Sequence, residues 1–267
     1  MRDWRTFIAA LAPAGLIALA AAATWPITFG GLAIARGDLL LYFYPLRDFA
    51  AQAVREGRLP LWNPYTFMGA PFLANSQAGF FYPLNLLLAW LPADRAVSWQ
   101  IGLHLVIAAL GAYALARGGF GLRRLGAFAA AVVFGLGGYL GAQVEHINQL
   151  QALAWLPLMA LCGLRLVDGG QRGERLWAAG MGRAILGLAG LVALQVFAGH
   201  TQSLYISLFG LGLVCALRSL SGPRMAPARR AKTALVWLIA LVIAGALGGL
   251  LAAAQLAPTL ELAGESA

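Results

Sequence analysis

Residues 234–255 read ALVWLIALVIAGALGGLLAAAQ, an apolar run without one ionisable side chain. Crossing a hydrocarbon core of ~30 Å as a helix takes roughly 20 such residues. A helix satisfies its own backbone N–H and C=O groups, so it can stand in lipid where irregular chain cannot. Outward from this segment, apolar runs with at most one arginine each recur at roughly 7–29, 98–117, 125–142, 150–167, 181–198 and 202–217. The chain therefore reads as an all-α polytopic membrane protein, one membrane domain over 1–267 with about seven transmembrane helices. A β-barrel would need short alternating segments, which the sequence does not show.

Composition agrees. Hydrophobic residues make up 61% and charged residues 11%, with a mean hydropathy of +0.76. Soluble domains carry about a quarter charged residues. The first run follows Arg2 and Arg5 and contains Ala20 to Ala23, which resembles a signal-peptide cleavage site. No charge intervenes between Arg5 and Arg36, a stretch far longer than the roughly 7–15 residues of a signal-peptide core, so the segment is expected to stay as a span. Cys162 and Cys215 fall inside apolar runs and are expected to be packing residues.

Basic residues give an orientation. With a cytoplasmic N-terminus, 14 of the 19 basic residues fall on the inside: Arg2, Arg5, Arg117, Arg123, Arg124, Arg165, Arg172, Arg175, Arg183, Arg218, Arg224, Arg229, Arg230 and Lys232. Every short loop then obeys the positive-inside rule. The net charge of +9 is thus a topology signal. Nucleic-acid binding, which needs a basic soluble face, is excluded as a function class. The opposite, outer side collects most carboxylates and imidazoles, among them Asp38, Asp48, Glu145, His146 and His200.

The segment 30–97 is a long outer loop between spans one and two. Leu46, Phe49, Ala50, Ala53 and Val54 recur at helical spacing, with Arg47, Asp48, Gln52, Arg55 and Glu56 on the other side. That pattern predicts an amphipathic interfacial helix stopped at Gly57. Pro60 and Pro64 disfavour helix in the stretch that follows. Residues 80–90 are apolar but too short to span, and predict a second interfacial or re-entrant helix. Trp62, Tyr65, Tyr82 and Trp90 are expected at headgroup level.

The stretch 37–85, GDLLLYFYPLRDFAAQAVREGRLPLWNPYTFMGAPFLANSQAGFFYPLN, resembles the signature of the bacterial YfhO-like membrane proteins, which belong to the GT-C glycosyltransferases. Gln149 to Leu158 (QLQALAWLPL), Gly199-His200-Thr201-Gln202 and Ala254 to Pro258 (AQLAP) resemble later blocks of that family. The resemblance implies a GT-C-like bundle of about seven helices whose first outer loop carries interfacial helices. It implies a membrane glycosyltransferase that moves a sugar from a polyprenyl-phosphate carrier to a cell-envelope glycan acceptor at the outer face of the bacterial plasma membrane. Family members are considerably longer, so this chain is expected to hold a core module of such a protein. A transporter or flippase for a lipid-linked or polar substrate is the alternative reading.

An inverting transfer needs a carboxylate to take the acceptor hydroxyl's proton. It also needs positive charge on the departing phosphate, from arginine or a divalent cation such as Mg or Mn. The family's base is an Asp just after the first span, and Asp38 stands there. Partly apolar surroundings are expected to strengthen it as a base. Arg36 and Arg47 are candidates for the lipid phosphate, and Tyr42, Tyr44, Asn63 and Gln77 for other substrate contacts in the same loop. Glu145 and His146, in the short turn between spans three and four, join the candidates because ionisable groups near membrane depth are costly. His200 and Gln202, between spans five and six, join on the same ground. Asp38, Glu145, His146 and His200 are of metal-ligand type but have no diagnostic spacing. His104, inside span two with only Gln100 as a polar neighbour, is expected to pack against another helix.

Overall fold

The computed structural model describes residues 2–221 and 226–265. Arg224, assigned above to the inside, lies outside the described residues. Among the described residues seven helical segments are long and apolar enough to cross a membrane: Leu11–Thr28, Ala93–Gly118, Arg124–Glu145, Ile147–Arg172, Ala179–Ala198, Thr201–Leu220 and Pro227–Leu251. Their number and order match the sequence reading. The seventh ends earlier than expected, at Leu251, and a separate helix follows it.

The elements run in chain order as α1 (Arg2–Thr28), a π-turn (Leu39–Phe43) leading into α2 (Tyr44–Arg55), α3 (Pro83–Leu87), α4 (Ala93–Gly118), α5 (Arg124–Gly135) and α6 (Gly138–Ala142). Then come α7 (Ile147–Leu153), α8 (Leu156–Arg172), α9 (Ala179–Ala198), α10 (Thr201–Leu220), α11 (Pro227–Leu251) and α12 (Ala253–Glu265). Span four is split into α7 and α8 where Pro157, which has no N–H, cannot bond back to the preceding turn. Span three is split after Gly135, which lies so close to α4 that a Cβ there would sit 2.7 Å from the Ala109 nitrogen.

Two apolar cores result. One joins α8, α9, α10 and α11 through residues such as Met159, Leu188, Leu211 and Trp237, with Cys215 buried among them. The other joins α1, α4 and α7 to the π-turn through Ala20, Leu39, Phe43, Ile101 and Leu150. Gln195 of α9 ties neighbouring helices together, donating to Ala152 O at 2.8 Å and Ser207 Oγ at 3.0 Å.

The segment between α1 and α4 is folded down onto the bundle. The helix expected over 46–54 is present as α2. Helix α2 ends with Gly57 at φ +67°, a left-handed position that costs glycine nothing. Its apolar stripe is buried as read, but Arg47 is buried too, which corrects its assignment to the polar side. Of the second helix expected over 80–90, only the short α3 forms. Trp62 and Asn63 pair antiparallel with Pro71 and Ala70, a small hairpin that the sequence reading did not include. Trp62, Tyr65 and Trp90 are exposed, whereas Tyr82 is fully buried within the protein. Helix α12 holds the loop from the other side: Gln255 donates to Leu73 O at 3.0 Å, and Thr259 to Ala74 O at 2.9 Å.

Candidate functional site

At the loop end of the bundle, residues 36–38 meet the turn between spans three and four. Arg36 Nε lies 2.7 Å from Glu145 Oε1, and His146 Nε2 lies 3.4 Å from Asp38 Oδ2. Gly37 between them has φ +51°, and a Cβ there would collide with the Glu145 carboxylate. The close pairing of the two segments thus depends on that glycine. Glu145 is the sheltered member at 23% side-chain exposure, against 79% for Arg36. Asp38 is 63% exposed, so the partly apolar surroundings expected for it are absent.

His200 starts α10, with Nδ1 accepting from Ser203 N at 3.1 Å, an N-cap that leaves the proton of the neutral ring on Nε2. Burial holds its pKa below the usual imidazole value, and the charge of nearby His146 acts in the same direction. Gly199 at φ +79° lies against Ser76 and Gln77 so tightly that any Cβ would strike the Ser76 carbonyl. The α9–α10 turn is thereby pressed onto the long loop, beside the exposed Gln77. Gln202 is exposed on the first turn of α10. Among the described residues, no three His, Cys, Asp or Glu side chains are grouped to hold a metal ion. The four metal-type candidates therefore form a pair of ion contacts and a neighbouring imidazole, and do not share one coordination point.

Beneath this cluster an apolar cavity of about 340 Å³ opens between α1, α4 and α6. Ile34 and Val144, which line it, stand two residues from Arg36 and one from Glu145 along the chain, and Thr24, Ile27 and Leu105 line it as well. Charge and imidazole above, hydrocarbon-lined space below: the arrangement is amphipathic.

The other candidates serve the loop. Tyr42 OH accepts from Asn75 Nδ2 at 3.0 Å, and Tyr44 OH donates to Ile34 O at 3.0 Å. Asn63 is buried and braces its hairpin, donating to Thr66 Oγ1 and accepting from Tyr65 N, each at 2.9 Å. Arg47 points inward, where its guanidinium donates to the carbonyls of Ala78 and Gly79 and to Gln151 Oε1. Burial lowers its pKa to about 10, so it stays charged at neutral pH.

A buried polar network under the loop escaped the sequence reading. Trp155 Nε1 donates to Tyr82 OH at 2.8 Å, and Tyr82 OH lies 2.6 Å from His104 Nε2. His104 Nδ1 is 2.6 Å from the Gln100 carbonyl, which can only accept, so Nδ1 carries the proton and Tyr82 donates to Nε2. Gln100 and Gln151 both donate to Asn85 Oδ1 at 2.9 Å, and Asn85 donates to Gly79 O at 2.8 Å. His104 does pack against neighbouring elements as expected, but through hydrogen bonds. The available signal was Gln100 one turn before His104; Tyr82 and Trp155 gave none.

The fold defines a multi-pass helical membrane protein with a structured loop region closing one end. In comparisons with known proteins, no family model, no curated protein and no solved structure matches the chain.

Proposed function

We propose that the chain is a membrane glycosyltransferase of GT-C type, acting at the outer face of the bacterial plasma membrane with its N-terminus in the cytoplasm. The donor is a polyprenyl-phosphate sugar and the acceptor a hydroxyl of a cell-envelope glycan. The observation that carries the reading is the ionic cluster seated over the apolar cavity. A lipid phosphate presents the matching halves, an anionic head for Arg36 and a hydrocarbon tail for the space between α1 and α4.

In the reaction, Asp38 takes the proton of the acceptor hydroxyl as that oxygen bonds to the anomeric carbon. The bond from that carbon to the phosphate oxygen breaks, and its electron pair leaves on the phosphate. Arg36 neutralises that charge, while Glu145 holds the guanidinium in place and His146 holds the Asp38 carboxylate. Tyr42, Gln77, His200 and Gln202 flank the sugar and acceptor. The test is transfer of a radiolabelled sugar from polyprenyl phosphate to cell-envelope glycan by the chain in proteoliposomes. Absence of transfer, with lipid-phosphate binding also at background, would remove the proposal.

One observation favours a transporter as a second reading, since spans three and four are both interrupted, as transporter helices often are. Movement of the labelled lipid between leaflets with its glycosidic bond intact would decide for it.

A further inference from the structure

The end of the bundle opposite Asp38 carries a second apolar cavity, of about 360 Å³, between α4, α5, α8 and α10. It is lined by Pro157 of α8, Phe134 of α5, Gly210 and Val214 of α10, and Phe120 and Leu122 of the α4–α5 connection. The volume lies in the roughly 300–1,000 Å³ range of small-molecule sites. In a membrane, such a space is filled by hydrocarbon.

The α4–α5 connection beside this cavity is basic. Arg117 Nη1 donates to Leu122 O at 2.5 Å, Arg123 and Arg124 follow at once, and Arg165 Nη2 comes within 4.0 Å of a Cβ built on Gly118. All four arginines are exposed, and among the described residues none is ion-paired. Two carboxylates of this end are already engaged, Asp168 by Arg218 at 2.9 Å and Glu174 by Arg172 at 2.7 Å. Arg123 and Arg124 also sit at the N-terminus of α5, where the helix dipole disfavours cations and favours an anion. Arginines collected where the local field repels them, beside a hydrocarbon-lined groove, match one kind of occupant.

We propose that this groove holds an acyl chain of an anionic phospholipid, whose phosphate lies against Arg123, Arg124 and the first turn of α5. The site is independent of sugar transfer, because it lies at the other end of the bundle. A zwitterionic lipid offers the same chain but no net charge, so the arginines select the headgroup and the groove selects the lipid form.

The experiment uses the full chain in detergent, delipidated and then titrated with phosphatidylglycerol or phosphatidylcholine of identical chains. Native mass spectrometry counts bound lipid, and thermal unfolding reads stabilisation. Phosphatidylglycerol is expected to bind about tenfold more tightly, given the attraction of two arginines for an anionic headgroup. R123Q/R124Q, changed at exposed positions, should lose that preference and keep weak binding of both lipids. G210F should lose both, because a Cβ at Gly210 meets no atom within 4 Å and a ring there fills the groove. Equal affinity of the unaltered chain for the two lipids would overturn the proposal. So would undiminished phosphatidylglycerol binding by a folded G210F, or displacement of the lipid by polyprenyl phosphate at equal concentration. Should G210F fail to fold, the arginine pair carries the test alone.

Discussion

His146 Nε2 lies 3.4 Å from Asp38 Oδ2, although the two residues belong to separate spans' connections and stand far apart in sequence. Both side chains are about half exposed or more, so the contact contributes at most ~1 kcal/mol to folding. In the proposed reaction its value is in aiming the carboxylate. His146→Ala should leave thermal stability within about 1 kcal/mol and lower sugar transfer roughly ten- to a hundredfold. If His146 acts through Asp38, the double variant His146→Ala, Asp38→Asn should be no slower than Asp38→Asn alone. Additive losses would show that His146 works separately.

His200 is expected to make stability fall in acid. Burial and the neighbouring charge of His146 hold its pKa below the unfolded value of about 6.5. As pH drops, the unfolded chain therefore takes up the proton before the folded one does. The stabilisation is present above about pH 6.5 and is lost as pH falls through the lower folded value. His200→Asn keeps an N-cap acceptor for Ser203 N and removes the titration. Denaturation midpoints between pH 7 and 5 should decline less for this variant. An unchanged decline would exclude His200 as the source.

Much of the architecture was legible because lipid imposes a single strong rule, long uncharged runs, and the described spans obey it to within a few residues. Arg47 shows where the rule ends. Its position beside the Leu46–Phe49–Ala50 stripe reads as polar surface when α2 is taken alone. The loop 72–86 then folds across it and offers the Ala78 and Gly79 carbonyls. Asp38 and Arg36 were legible as ionisable groups just past a span end. Their meeting with Glu145 and His146 was not, since it depends on how α6 and α7 turn, which no local pattern encodes. Tyr82 looked like an interfacial aromatic because its partners, His104 and Trp155, lie in two other spans.

Tyr82→Phe probes that buried network. The hydroxyl alone satisfies both His104 Nε2 and Trp155 Nε1. Its removal leaves an acceptor and a donor without partners, a cost of about 1–3 kcal/mol for each group left unsatisfied. Chemical denaturation in detergent should show a loss of at least about 1 kcal/mol. A loss within error would mean that water replaces the hydroxyl.

The proposed orientation places Gln77 outside and Ser221 inside. Both are exposed, so single cysteines there should be reachable by a membrane-impermeant maleimide from their own side. In intact cells the Gln77→Cys variant should label and the Ser221→Cys variant should not. Labelling at 221 would invert the topology and remove the outer-face site.

Asp38 is the proposed base of an outer-face sugar transfer. Asn keeps nearly the same shape at this exposed position, so Asp38→Asn should fold and insert normally. Asp48, exposed on α2, provides the control carboxylate. The measurement is the rate of labelled-sugar transfer by each variant at matched amounts in proteoliposomes. The account predicts a drop of roughly two to four orders of magnitude for Asp38→Asn and little change for Asp48→Asn. Near-normal transfer by the Asp38 variant would contradict it.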